Sequence, residues 1–240
     1  VYYCYNKAAV RYSVFQRRFV MKKILAGIVL GVWVSTAAAG AVWAADSLSG
    51  MKEVAWKAEQ ADLKYPEVTE GSFLYRARVN SAVEVEVKSF VNSLKQNRAR
   101  GQSVSGWVTW KEGMKTPEWT SFTLTESTYY DKAAHPSSYT KGFIFKGNGE
   151  RVTMQELTAM MPQLTVDKLN EEILKQTKAK NIPLYQDYKG IKEFPKEFYI
   201  GADGWVHFLF QQYEIAPYSS GIIDIAMENI PLPAYGTDVF

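Results

Sequence analysis

FYIGADGWVHFLF, residues Phe198–Phe210, decides the fold. Two aromatic and β-branched runs flank the turn Gly201-Ala202-Asp203-Gly204, which predicts a β-hairpin. The second arm, Trp205 to Phe210, is apolar on both faces and therefore belongs in the middle of a sheet, not at its edge. QQYEIAPYSSG, Gln211 to Gly221, follows as a loop, and IIDIAME, Ile222 to Glu228, as a last strand.

Upstream, WVTW (Trp107–Trp110), WTSFTLTESTYY (Trp119–Tyr130) and YTKGFIF (Tyr139–Phe145) show period-two spacing and many β-branched or aromatic residues, so they predict antiparallel strands. Lys146-Gly147-Asn148-Gly149-Glu150 is the turn that ends the last of them. Val54 to Val68 predicts a further strand ending at Tyr65-Pro66. From Phe73 the spacing changes to threes and fours. Ala77, Val83, Val87, Phe90, Val91 and Leu94 then predict an amphipathic helix closed near Arg100-Gly101. Thr153 followed by Glu156 fits a capping box opening a short helix. A second helix is expected from about Val166 to Ala179, with Val166, Leu169, Ile173 and Leu174 on one side. Strands and helices without strict alternation predict an α+β fold, an antiparallel sheet packed against a few helices.

Towards the amino end, Met21 is followed by Lys22 and Lys23, the apolar run Ile24–Val34 and the small-residue stretch Ser35–Ala44. That order is a secretory signal peptide over residues 21–44, with the cut expected between Ala44 and Ala45. The competing reading is an uncleaved anchor, since Ile24 to Ala45 reaches the roughly 20 residues of a membrane span. Either way the lysines hold the amino end inside, and everything after Ala45 is expected outside the cytoplasm, periplasmic or secreted. Residues 1–20 read as a start-site overcall. The working domain is expected over residues 45–240, as one unit or as two intimately packed lobes of about 45–115 and 116–240.

Cys4, the only cysteine, lies ahead of the signal, so no disulfide or thiolate metal site is expected after it. The whole chain carries 28 basic and 25 acidic residues. Residues 1–44 hold six of the basic ones and none of the acidic, so the remainder is near −3. The basic balance belongs to the leader, and nucleic acid is not an expected partner. Membrane contact is expected only through an uncleaved signal segment.

Catalytic patterns are sparse. The nearest approach to G-x-S-x-G, Gly101 to Gly106, has its second glycine one place late, and neither H-E-x-x-H nor a P-loop occurs. His135 and His207 are the only histidines, too few by themselves for a usual zinc site, and no metal or cofactor is expected. His207 alternates with apolar strand residues and reads as a satisfied sheet histidine. An acid pair drawn from Glu126, Asp131, Asp203, Glu214 and Asp224 is the alternative that would make the chain a peptidoglycan hydrolase. The aromatic loop offers the other lead. Tyr213 and Tyr218 flank Pro217 outside the strand pattern, and such rings either cap a core or stack on sugars and protein partners.

Phe198 to Met227, with its Tyr213-Glu214-Ile215-Ala216-Pro217-Tyr218 loop and Gly221, resembles the carboxy-terminal signature of the RsiV-like domain of unknown function family. Ala133 to Leu157 resembles the family's alanine-histidine segment, strand, turn and helix start. The Tyr65-Pro66 strand end and the Asn80 helix are similar to its amino-terminal half. The resemblance implies an extracytoplasmic domain of the kind that binds lysozyme in the anti-sigma factor RsiV and stands beside the deacetylase module of PdaC. The sequence has no sigma-binding segment before Lys22 and no deacetylase module, so neither activity is expected. The family's glycine after the histidine is Pro136 here. The resulting expectation is a non-catalytic envelope binding domain for lysozyme, another envelope protein or peptidoglycan. Its candidate binding residues are Tyr213, Glu214, Pro217, Tyr218, Ser219, Ser220, His135 and Tyr139.

Overall fold

The computed structural model describes residues 50–58 and 60–232. The expected signal at residues 21–44, with the leader before it, lies outside them. Two sheets form. The first has the order β1 (Met51–Ala58), β2 (Ala61–Val68), β3 (Val104–Lys115), β4 (Trp119–Tyr130) and β5 (Ser137–Lys146), with helix α1 (Phe73–Ala99) between β2 and β3. The second has the order β6 (Glu197–Ile200), β7 (Val206–Phe210) and β8 (Ile223–Ala226), after helices α2 (Met154–Met160) and α3 (Val166–Ala179). All pairs are antiparallel except β2–β3, which pair in parallel over Ala61–Leu63 and need the helix as their crossover. The α+β architecture thus stands, and the strongly apolar β7 is the central strand of its sheet.

The central strands of the first sheet are covered on both faces. Phe122, Phe143 and Phe145 stack on one face, in the core shared with Val79, Val83, Val87, Phe90 and Leu94 of α1. Ile144, one residue out of phase, joins Ile200, Phe208, Leu169 and Ile173 in the other core. The alternation of side chains along a strand sends consecutive apolar residues of GFIF into two different cores. Strand β6 crosses the second face where side chains are smallest. A methyl at Gly113 of β3 would overlap the Ile200 carbonyl, and one at Gly142 of β5 would overlap that of Phe198. Between them Ser121 Oγ donates to Phe143 O at 2.9 Å and accepts from Ile200 N at 2.8 Å.

Three expectations need correction in detail. Val54–Val68 is a hairpin, not one strand, and Pro66 lies inside β2 opposite Glu53. Val68 N turns away from β1 to Asn80 Oδ1 at 2.8 Å. Pro66, two residues earlier, shares that orientation where β3 no longer pairs, so its missing N–H breaks no ladder bond. In α1 the buried stripe runs through Tyr75 and Val79, and Ala77 faces out. In α3 the inner face is completed by Gln176 and Thr177, leaving Leu174 56 % exposed. Gln176 earns that place by bonding Ala226 of β8 through both ends of its amide, at 2.6 and 3.2 Å. The expected capping box forms between Thr153 and Glu156, and α1 starts at Phe73 as expected, capped by Ser72.

Candidate functional site

The loop after β7 and the start of β6 meet the outer edge of β5 through side chains that act as a strand would. Gln212 Oε1 accepts from Ser138 N at 3.0 Å, Gln211 Oε1 from Thr140 N at 2.9 Å, and Glu197 Oε2 from Gly142 N at 3.0 Å. These are alternate residues, the ones whose N–H groups point out of an edge strand. Gln211 Nε2 also donates back to Thr140 O at 2.9 Å. Glu214 braces the turn by accepting from Gln211 N at 2.7 Å. Sequence reasoning passed over Gln211, Gln212 and Glu197, because it does not show that the outer edge of β5 lies beside them.

So anchored, the loop brings three predicted residues together. His135, just before β5, stacks on Tyr218 with ring centroids 3.6 Å apart and planes 20° from parallel. Tyr213 lies 5.7 Å from Tyr218, and its hydroxyl is 3.1 Å from His135 Nε2. Pro136 O can only accept, and His135 Nδ1 at 3.1 Å and the Tyr218 hydroxyl at 2.9 Å both donate to it. The Nδ1–H tautomer leaves Nε2 as the acceptor for the Tyr213 hydroxyl. Pro136 serves this arrangement through its carbonyl, which proline retains. Tyr213 has φ +67°, a left-handed conformation that costs a bulky residue energy, and the residue is 55 % exposed.

The other predicted residues surround this cluster. Pro217 precedes the short 3₁₀ turn Tyr218–Ser220 and accepts from Ser220 N at 2.9 Å. Ser219 is exposed, while Ser220 Oγ is buried without a partner among the described residues. Tyr139 stands apart from the stacked rings. It borders a groove of about 660 Å³ with Glu193, Phe194, Glu197, Gln211 and Glu214. Burial and the neighbouring Glu197, whose Oε1 accepts its hydroxyl at 3.2 Å, push its pKa up to about 12.

The second histidine has a different setting. His207 Nδ1 donates to Asp224 Oδ1 at 2.6 Å and Nε2 to both Asp203 oxygens at 3.0 Å, while Tyr199 OH donates to Asp224 Oδ2 at 2.6 Å. Two carboxylate acceptors require both ring nitrogens to carry protons, the imidazolium form. Burial pulls the His207 pKa down, but the Asp224 and Asp203 carboxylates outweigh it and raise it. Burial likewise opposes ionisation of Asp224, and His207 prevails in lowering it. Two of the candidate acids thus converge on one ring, Asp203 from the turn four residues before it and Asp224 from the neighbouring strand β8. Glu126 joins Glu86 around Lys141, at 2.9 and 2.6 Å from its Nζ. Burial raises the Glu126 pKa despite that cation. Among the described residues no group of three or more His, Cys, Asp or Glu is arranged to hold a metal ion.

Comparison with known proteins places the chain by fold. Residues 154–228 match the model of a family described as a protein of unknown function, DUF3298. A solved DUF3298 family protein from Pseudomonas aeruginosa is 12 % identical, with a TM-score of 0.57, covering 78 % of this chain and 92 % of that one. A solved DUF3298 member from Bacteroides fragilis is 13 % identical, with a TM-score of 0.51 and coverage of 77 % and 92 %. At these identities the likeness is one of fold. No curated protein matches the chain.

Proposed function

We propose that this is an exported, non-catalytic binding domain of the RsiV-like kind, acting in the bacterial envelope, and that the loop 211–221 with the His135 segment is its contact surface. The observation that carries the proposal is Tyr213, a large ring held outward at positive φ and braced by His135 and Tyr218. A tyrosine ordered before contact loses little side-chain entropy on binding and presents both an apolar face and a hydroxyl. The matched region contains this loop. Its resemblance to the RsiV-like signature supplies lysozyme as the first partner to test, with another envelope protein or a wall glycan as the other classes. The net charge near −3 after residue 44 suits a cationic partner by favouring encounter.

Titration of lysozyme against residues 45–240, followed by calorimetry, tests the reading. A complex at micromolar protein, weakened at least tenfold by Tyr218→Ala with the fold intact, is the expected result. Absence of a complex removes lysozyme, and an unchanged affinity in the variant removes this loop as the site.

One observation favours the alternative of a peptidoglycan hydrolase. Glu126, whose pKa burial raises, and Glu86 flank Lys141, and acid–base hydrolysis needs two carboxyls of unequal proton affinity. Release of soluble fragments from peptidoglycan that disappears in Glu126→Gln would replace the binding reading with this one.

A further inference from the structure

A notch unrelated to the loop 211–221 lies on the other half of the sequence. Trp56 is on β1, the edge strand, directly across from the buried core residue Leu63 of β2. Opposed residues share a face, so Trp56 points to the side on which α1 packs, yet it is 38 % exposed. The notch so formed, about 200 Å³, is lined by Trp56, Tyr65 of β2, and Glu84, Val87 and Lys88 of α1. Glu84, Val87 and Lys88 are spaced i, i+3 and i+4, one face of the helix. Val87 is buried and closes the floor, while Glu84 and Lys88 pair at 2.6 Å on the rim. Burial first, and then Glu84, raise the Tyr65 pKa, so its hydroxyl stays a proton donor at any physiological pH.

We infer that this notch binds a single uncharged pyranose ring of a glycan. An indole offers the flat apolar surface against which the C–H face of a sugar packs. The Tyr65 hydroxyl, the Glu84 carboxylate and the Lys88 ammonium supply both donors and acceptors around it, as vicinal hydroxyls require. The rim charges cancel, which matches a neutral polyhydroxyl ligand better than an ion. The site shares no residue with the loop 211–221, so it stands or falls separately from the function proposed above.

The test is a titration of the full chain with soluble oligosaccharides of glucose and of N-acetylglucosamine, read by tryptophan fluorescence and by calorimetry. A saturable change is expected, at least tenfold weaker in Trp56→Ala and retained in Tyr218→Ala. Trp56→Phe, which keeps a ring, is expected to bind between the two. Absence of binding to every sugar overturns the inference. Binding that survives Trp56→Ala in a folded protein, or that depends on Tyr218 instead, overturns it equally.

Discussion

The side-chain amide of Gln211 meets the backbone of Thr140 at both of its polar groups: Oε1 accepts from Thr140 N and Nε2 donates to Thr140 O, each at 2.9 Å. A glutamine side chain thereby does for the edge of β5 what another strand would do. With Gln212 and Glu197 on either side, three successive outward N–H groups of β5 are satisfied. The Gln211 and Gln212 contacts also hold the loop that carries Tyr213 and Tyr218, so edge protection and the candidate site share one structure.

Gln211→Ala should therefore have two effects. Losing both bonds is expected to lower stability by about 1–3 kcal/mol, read as a shifted urea midpoint. The uncovered edge should also promote self-association, seen as a concentration-dependent mass in light scattering. A variant that is monomeric and as stable as the parent would refute this role.

The His207 cluster sets a pH window. The His207 pKa is raised, so the stability it contributes is whole below its ordinary 6.5 and is lost as pH rises through the raised value. The Asp203 and Asp224 pKa values are lowered, so theirs is whole above 3.8 and is lost as pH falls through the lowered values. The contribution is largest between these two ordinary values. Asp224→Asn is expected to cost about 1–3 kcal/mol there and to flatten the decline on the alkaline side, as urea unfolding across pH will report. An unaltered profile would show that the cluster contributes nothing.

Tyr213→Gly should separate stability from binding. Glycine adopts the left-handed conformation freely, relieving about 1 kcal/mol of strain that offsets the lost bond to His135, so the melting temperature should change little. Partner affinity should nevertheless fall. A variant that binds as well as the parent would mean that the ring is not used.

Thr153→Ala removes the cap of α2 and is expected to cost about 1 kcal/mol. Hydrogen bonds from Lys146 first, and then from Thr153, hold the Glu156 pKa down to about 2. Its contribution is present above the ordinary 4.5 and lost as pH falls through about 2. An NMR titration should place the Glu156 midpoint near 2 in the parent and higher in the variant; equal midpoints would contradict the reciprocal cap.

Local patterns were legible because their causes are local. The capping box, the hairpin about Gly201–Gly204 and the helix over 166–179 each follow from residues within a few positions of one another. Leu174 and Ala77 were misplaced because a helix face is chosen by what packs on it, and Gln176 won its inward position through bonds to a strand fifty residues away. Pro66 was read as a terminus because sequence does not show which side of a strand goes unpaired.

The order of charged, apolar and small residues before Ala45, the α+β class and the aromatic character of the 211–221 loop are determined by the sequence itself, since composition and period carry them. Only the tertiary structure decided that His135 stacks on Tyr218 across 83 positions of chain, that Asp203 and Asp224 share one imidazole, and that Gly142 is small to let Phe198 pass. Those relations depend on which strand edges and faces meet, and side-chain spacing along one chain does not encode a distance between two segments until both have been packed.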